Sequence, residues 1–139
     1  MIDCCDRSIT GWRFSKSGIA KVASAALEDA LRYRNIKPGM GLTLRSDNGL
    51  VFGSKVFVGV AKKYKLNQEY ITPYTPEQNG MIERFFRTLK EECIWLNNFQ
   101  SSDEAFVVIS KWIDKYNNER PHSALDYKSP TEFRRSIAA

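Results

Sequence analysis

The spacing of apolar residues changes several times along this chain, and the order of these changes constrains the fold more than any other feature. Short runs typical of strands occupy residues 1–5, 8–14, 41–46 and 67–71. Apolar residues recur at helical spacing over residues 19–33, 54–65, from Glu77 or Met81 to Leu96, over 103–118, and in a short last segment at 131–137. The order β-β-α-β-α-β-α-α, followed by the short last segment, predicts one α/β domain in which helices flank a mixed sheet.

Charge and cysteine content narrow the class of protein. The 139 residues include 21 Lys and Arg against 16 Asp and Glu, and the net charge of +5 favours a polyanionic partner. Cys4, Cys5 and Cys93 form no CxxC pair, so we expect neither a disulfide framework nor a zinc site, which suits a reducing cytoplasm. No apolar run approaches the roughly 20 residues of a membrane span. We therefore expect a soluble intracellular domain without a membrane partner.

Two acids are candidates for metal ligation. Asp47 follows the predicted strand 41–46 and precedes Asn48-Gly49, a strong turn signal, and on its own it predicts only a turn. Glu83 lies in a predicted helix, and 35 residues separate it from Asp47. The intervening strand and loop could bring both carboxylates to one divalent cation. Mg²⁺, or Mn²⁺ as its substitute, would suit such a site, because two-metal phosphoryl-transfer centres use carboxylate ligands.

Two cations follow Glu83 along the same predicted helix. Arg87 and Lys90 stand at i+4 and i+7, so the acid and both cations share one face. A row of cations beside a metal site suits a substrate with a phosphate backbone. The alternative is an exposed ion-pair stripe without function, and the charge pattern alone favours that alternative.

Three separated stretches resemble one known family. They are SDNG at 46–49, TPYTPEQNGMIERFFRTLK at 72–90 and YNNERPHSALDYKSPTEF at 116–133. In this order, and with 35 residues between the two acids, they are similar to the catalytic core of bacterial insertion-sequence transposases, which are related to retroviral integrases. The resemblance covers nearly the whole chain and implies a ribonuclease H-like fold.

The resemblance assigns roles to individual residues. Asp47 matches the second catalytic acid of the family and Glu83 the third, both as metal ligands. Arg87 and Lys90 match basic positions that face transposon-end DNA in relatives, and Asn79 belongs to the turn that opens the catalytic helix. Tyr74, on a proline-flanked loop, is the best candidate for base stacking. The implied activity is divalent-metal-dependent DNA cleavage and strand transfer, with transposon ends and target DNA as partners.

One departure from the family pattern concerns its first catalytic acid, which lies on the first strand in an Asp-x-Thr context. The stretch MIDCCDRSITGW at 1–12 resembles the strand that follows, and Asp3 aligns with a non-catalytic position. The resemblance therefore predicts a domain that is truncated at its N-terminus, lacks the first, central strand and is inactive if no other acid takes the missing place. Asp3 or a second chain could supply that acid.

The missing strand also bears on assembly. Its absence would leave backbone groups unpaired in the middle of the sheet. Either the remaining strands pair directly or two chains meet at this edge, and we expect a homodimer or a higher oligomer.

Two other functions stay open. The second hypothesis is a non-catalytic nucleic-acid-binding module, which would show salt-dependent binding without cleavage. The third hypothesis is a ribonuclease H-type nuclease that acts on RNA–DNA hybrids. We expect His122 of the RPHSAL stretch to have a structural role. Most large aromatic residues should pack in the core: Trp12, Phe14, Phe52, Phe57, Phe86, Trp95, Phe106 and Trp112.

Overall fold

A computed structural model describes residues 1–139, except for the side chain of Pro76. Within these residues the helices are α1 (Ala20–Tyr33), α2 (Lys55–Lys63), α3 (Gly80–Leu89), α4 (Ser102–Asn118) and α5 (Pro130–Ala138). The strands are β1 (Thr43–Ser46) and β2 (Asn67–Tyr70). Short 3₁₀ turns cover Pro76–Asn79 and Ser123–Leu125. From α1 to α5 the elements follow the predicted order. No helix in the described part of the chain is long and apolar enough to span a membrane.

The chain divides into two compact units, and the first comprises Met1 and Thr10–Ile82. Its strands β1 and β2 are parallel, with Thr43 opposite Asn67 and Ser46 opposite Tyr70. Helices α1 and α2 bury a small apolar cluster of Leu27, Leu31 and Phe57. Ser54 starts α2, because its hydroxyl accepts a hydrogen bond from the amide of Phe57.

Gly11 packs closely on α1 in this unit. A methyl group at Gly11 would meet the carbonyl oxygen of Ala26 and would lie 2.7 Å from the Ala30 nitrogen. Both obstacles are helix backbone, which cannot rotate away. Only glycine therefore allows the N-terminal segment to approach α1 this closely.

The second unit comprises Ile2–Ile9 and Glu83–Ala139. The Ser101 hydroxyl caps α4 by accepting the Glu104 amide. Ser129 and Glu132 form a capping box at the start of α5, with Pro130 in the first turn. Asp6 is fully buried, and its carboxylate lies 3.6 Å from the Arg134 guanidinium. This ion pair fastens α5 to the turn at residues 4–6.

The predicted hairpin over residues 1–14 is reduced to a single antiparallel bridge between Ile2 and Ile9. The turn is closed by the Asp3 amide donating to Ser8, and the Thr10 amide donates to Met1. The N-terminal amine of Met1 also donates to the Gly11 carbonyl at 2.5 Å, and residues 11–14 do not form a strand. That part of the strand prediction was wrong.

The long helix predicted up to Leu96 is regular only as far as Leu89. A π turn follows over Lys90–Ile94, where the Trp95 amide donates to the Lys90 carbonyl at 2.9 Å. One extra residue enters the helical ladder at this point. The residues after the turn are therefore rotated relative to those before it, and Cys93 becomes buried.

The core prediction for aromatic residues was partly wrong. Phe57 is buried as expected, but four of the eight aromatic side chains are exposed: Phe14, Phe86, Trp95 and Phe106. On α3 the buried ring is Phe85, the neighbour of Phe86. The choice between two adjacent aromatic residues depends on the rotation of the helix about its axis, which packing partners determine.

Candidate active site

Asp47 follows β1, and its own turn holds its carboxylate. Oδ1 accepts the amide of Gly49 at 2.8 Å, while the Asp47 carbonyl accepts the Ser46 hydroxyl at 3.0 Å. The side chain is exposed, and within the described residues Oδ2 has no hydrogen-bond partner. Asp47 is therefore both a turn residue and a carboxylate with one oxygen available to a ligand.

Asn48 ties this turn to the end of the neighbouring strand. Its side-chain amide donates to the carbonyl of Ile71, which follows β2, at 2.8 Å. The Ile71 amide in turn donates to the Ser46 carbonyl at 3.0 Å. The position of Asp47 at the end of the sheet is thus fixed by hydrogen bonds from both strands.

The loop after β2 folds back on itself. The Gln78 side-chain oxygen accepts the Thr72 amide at 2.7 Å, and the Gln78 carbonyl lies 3.4 Å from the Arg45 guanidinium. Arg45 also pairs with Glu69 across the strands at 2.8 Å. No sequence pattern indicates these contacts, which surround a polar cavity of about 250 Å³.

Tyr74 stands at the tip of this loop. Its φ angle of 61° lies in the left-handed region, which non-glycine residues seldom adopt. Its ring is fully exposed. The loop conformation therefore presents an aromatic face to solvent, which is the geometry a stacking residue needs.

Glu83 lies in the first turn of α3, three residues after Gly80, and its side chain is exposed. Asn79 ends the 3₁₀ turn that leads into this helix. A carboxylate near a helix N-terminus is stabilised by the unsatisfied amides there. Asp47 belongs to the first unit and Glu83 to the second, and each has its own structural support.

Arg87 and Lys90 are both exposed on the continuation of α3. Arg87 pairs with Glu91 at 2.9 Å rather than with Glu83. This hydrogen bond and the charge of Glu91 raise the pKa of Arg87, which therefore carries a full positive charge. Lys90 begins the π turn.

The RPHSAL stretch at residues 120–125 takes part in contacts that support the helix carrying Glu83. The Tyr116 ring makes an edge contact with Phe85 on α3, with ring centres 5.3 Å apart, and a second edge contact with His122, with ring centres 4.9 Å apart. The Arg120 guanidinium donates hydrogen bonds to both carboxylate oxygens of Glu92, the shortest at 2.7 Å. These contacts agree with the structural role expected for His122. Pairing of Arg120 with Glu92 was missed because 28 residues separate them.

His122 is held in its uncharged form. Its Nε2 is buried without a hydrogen-bond partner. Burial lowers the pKa of His122, and the nearby charges of Arg120 and Arg7 lower it further. The lowered pKa favours the uncharged ring, which packs on Tyr116.

The other acid considered for the site, Asp3, accepts the Cys5 amide at 2.8 Å within its turn. In the described part of the chain, no group of three or more His, Cys, Asp or Glu side chains is placed to hold a metal ion. The candidate ligands thus remain the two carboxylates Asp47 and Glu83.

Comparison with known proteins places this chain in a family. Two family profiles described as Integrase core domain match residues 1–76 and 64–130. The transposase for insertion sequence element IS904 of Lactococcus lactis is 32% identical over 133 residues, which cover 95% of this chain and 52% of that protein. An insertion element IS136 uncharacterized protein of Agrobacterium fabrum is 30% identical over 142 residues, with 98% and 72% covered. The chain thus spans about half the length of the first relative.

A solved structure agrees with these sequence matches. The crystal structure of the catalytic core domain of BIV integrase superposes with a TM-score of 0.61 at 19% identity and covers 95% of this chain and 84% of that one. At this identity the similarity establishes the fold, and it confirms the ribonuclease H-like class. From the profile matches and the relatives together, this chain belongs to the integrase core domain family.

Proposed function

We propose that this domain cleaves DNA and joins DNA strands in transposition, by phosphoryl transfer that depends on a divalent metal ion. The observation that carries the proposal is membership of the integrase core domain family. The resemblance of the sequence to that family assigns Asp47 and Glu83 to its second and third acids. Transposases of insertion sequences among the relatives support DNA as the substrate.

The residues present fit a hard cation. Mg²⁺ prefers oxygen ligands and retains several waters, so a small number of carboxylates is sufficient to hold it. Asp47 and Glu83 are the proposed ligands, and Mn²⁺ would substitute. When bound, such an ion activates the attacking oxygen and stabilises the leaving oxygen. The turn of Asp47 contributes by fixing one carboxylate oxygen and leaving the other for ligation.

Four residues would hold the DNA. Arg87 and Lys90 would contact phosphates, since both are exposed cations on one helix. The present partner of Arg87, Glu91, is a weak competitor because exposed ion pairs stabilise little. Asn79 would donate to the backbone, and the exposed ring of Tyr74 would stack on an unpaired base.

The test is nicking of a labelled DNA duplex in the presence of Mn²⁺. Asp47→Asn removes the charge but keeps the oxygen that accepts the Gly49 amide, so the turn survives. Glu83→Gln is the matched change on α3, and Asp103→Asn and Glu119→Gln are controls at other exposed acids. We expect nicking by the wild type and both controls, and only background from the two site variants. Equal nicking by all five proteins would refute the assignment.

A second candidate function is a non-catalytic DNA-binding module. It is favoured by the small number of assembled acids, because in the described residues no group of three forms a metal site. DNA binding that survives Asp47→Asn and Glu83→Gln, with no nicking by the wild type, would identify this function.

The proposed assembly is a homodimer or higher oligomer. The sheet consists of β1 and β2 in the described residues, so β1 has one edge without a strand partner. Such edges pair readily with another chain. Sedimentation velocity of the free domain should show a dimer, and a monomer at tens of micromolar would exclude pairing through this edge.

A further inference from the structure

Basic charge is concentrated in one part of the first unit. The segment from Ala30 to Gln68 contains eight Lys or Arg residues and a single acid, Asp47. Six of these cations lie in the last turn of α1 or α2, or in the few residues that follow each helix. We call these six residues the basic end: Arg32, Arg34, Lys37, Lys62, Lys63 and Lys65.

The fold brings the two groups of cations together. Gly39, in the loop after α1, donates its amide to the Tyr64 carbonyl at 3.2 Å. The side chain of Lys65 lies beside Gly39, 3.9 Å from where a methyl group there would be. Ile36 and Leu66 both pack against the cluster around Leu31. The C-terminal ends of α1 and α2 are therefore neighbours, and their cations share one surface.

This surface lies at the opposite end of the sheet from Asp47. The amide of Asn67, the first residue of β2, donates a hydrogen bond of 2.9 Å to the carbonyl of Leu42, which directly precedes β1. The loop of the basic end leads directly into these residues, whereas Asp47 follows the last residue of β1. Four strand residues at about 3.3 Å each separate the two ends by about 13 Å. The basic end is thus distinct from the position of Asp47.

Favourable interactions with the helix dipoles explain only some of these cations. Arg32, Lys62 and Lys63 lie in the last turns of α1 and α2, where cations interact favourably with the helix dipole. Lys37 and Lys65 lie beyond the helices and have no such role. All five are exposed. A polyanion bound at this surface would relieve the repulsion among these cations.

Aromatic rings accompany the cations. The Arg34 guanidinium lies over the ring of Tyr33 at 5.4 Å, and the Lys63 amine over Tyr64 at 5.7 Å. These contacts hold the charged groups close to the surface and reduce the entropy lost on binding.

We propose that the basic end is a second DNA-binding surface, which contacts the phosphate backbone of duplex DNA away from Asp47. Lysines supply most of its charge, and an ammonium group acts as a point charge on phosphates without reading bases. The surface therefore binds duplex DNA without sequence preference and raises the affinity for the substrate. The inference rests on the proposed function only in taking DNA as the partner.

The test compares two charge-matched triple variants of the whole chain. Lys37→Ala/Lys62→Ala/Lys63→Ala removes three cations of the basic end, and Lys111→Ala/Lys115→Ala/Lys128→Ala removes three exposed lysines of the second unit. Lys65 is left in place, so that each variant loses three positive charges. Binding of a fluorescent DNA duplex is measured by anisotropy over a series of NaCl concentrations, together with the kinetics of Mn²⁺-dependent nicking.

We expect the basic-end variant to bind at least about 10-fold more weakly near 0.1 M salt, with a salt slope smaller by about 2 to 3. The control should change the slope by less than about 1. Nicking by the basic-end variant should show a raised KM and an unchanged kcat. Equal salt slopes for the two variants would overturn the proposal, as would tighter binding of an RNA hairpin through the same lysines or no DNA binding by the wild type.

The outcomes separate this surface from the proposed catalysis. Suppose that the wild type does not nick DNA, but the basic-end variant binds DNA more weakly than the wild type does. The proposed surface is then supported and the catalytic proposal fails. If the wild type nicks and both variants bind alike, the surface fails alone.

Discussion

The two compact units hold their candidate acids in different ways. In the first unit, Asp47 is fixed by short polar contacts, namely the Gly49 amide on its own carboxylate and the Asn48 side chain on Ile71. In the second unit, Glu83 makes no such contacts and depends on its helix. That helix is anchored by Phe85, whose ring packs on Tyr116 and Trp112.

This difference predicts which kind of mutation should displace each acid. Polar contacts at an exposed turn are individually worth about 1 kcal/mol and act locally. A buried aromatic cluster contributes several kcal/mol and supports a whole unit. Damage to packing in the second unit should therefore displace Glu83 together with its surroundings, whereas Asp47 should respond mainly to changes in its own turn.

The largest effect is expected from Phe85→Ala. Phe85 is buried and contacts three aromatic rings, so its removal should lower the free energy of unfolding by about 3 to 5 kcal/mol. Phe86→Ala is the matched control, because this neighbouring ring is 51% exposed and should cost less than about 1 kcal/mol. Urea denaturation followed by circular dichroism measures both. Equal losses for the two variants would contradict the orientation of α3.

The corresponding test in the first unit is Gly11→Ala. The added methyl group would meet the backbone of α1 at Ala26 and Ala30, and we expect a loss of about 2 kcal/mol. Gly18→Ala is the control, since no atom lies within 4 Å of a methyl group there. Thermal unfolding should distinguish the two proteins by several degrees. An unchanged melting temperature for Gly11→Ala would show that this segment does not pack on α1.

The smallest effect concerns pH and the His122 ring. Because burial lowers the pKa of His122 below its ordinary value of 6.5, the unfolded chain binds the proton more readily. Stability should therefore be complete above about pH 7 and should decrease as pH falls through 6.5 toward the lowered pKa of the folded state. The ring is only partly buried, so the decrease should stay below about 1 kcal/mol.

His122→Phe isolates this contribution. Phenylalanine keeps the contact with Tyr116 and removes the buried Nε2 that lacks a partner. Unfolding measured between pH 5.5 and 7.5 should depend less on pH in the variant than in the wild type. The same pH dependence in both proteins would exclude His122 as its source.

Much of the fold was predictable because long apolar periodicities specify helices directly. The predicted segment 19–33 became α1 and 103–118 became α4, each within one residue of the observed bounds. The turn at Asp47 was predictable because Asn48-Gly49 is a local signal.

Features that depend on distant partners were not predictable. The π turn at Lys90–Ile94 leaves the apolar spacing nearly unchanged, so no pattern marks it. Whether Phe85 or Phe86 is buried depends on Tyr116, which follows about 30 positions later along the chain. These choices are made by tertiary packing and not by local sequence.

The most direct test of the account is Mn²⁺ binding to the free domain, measured by calorimetry without DNA. The central claim is that Asp47 and Glu83 are metal ligands. We predict that Asp47→Asn and Glu83→Gln each weaken Mn²⁺ binding strongly, while Asp103→Asn and Glu119→Gln bind like the wild type. Wild-type affinity in both site variants would contradict the claim.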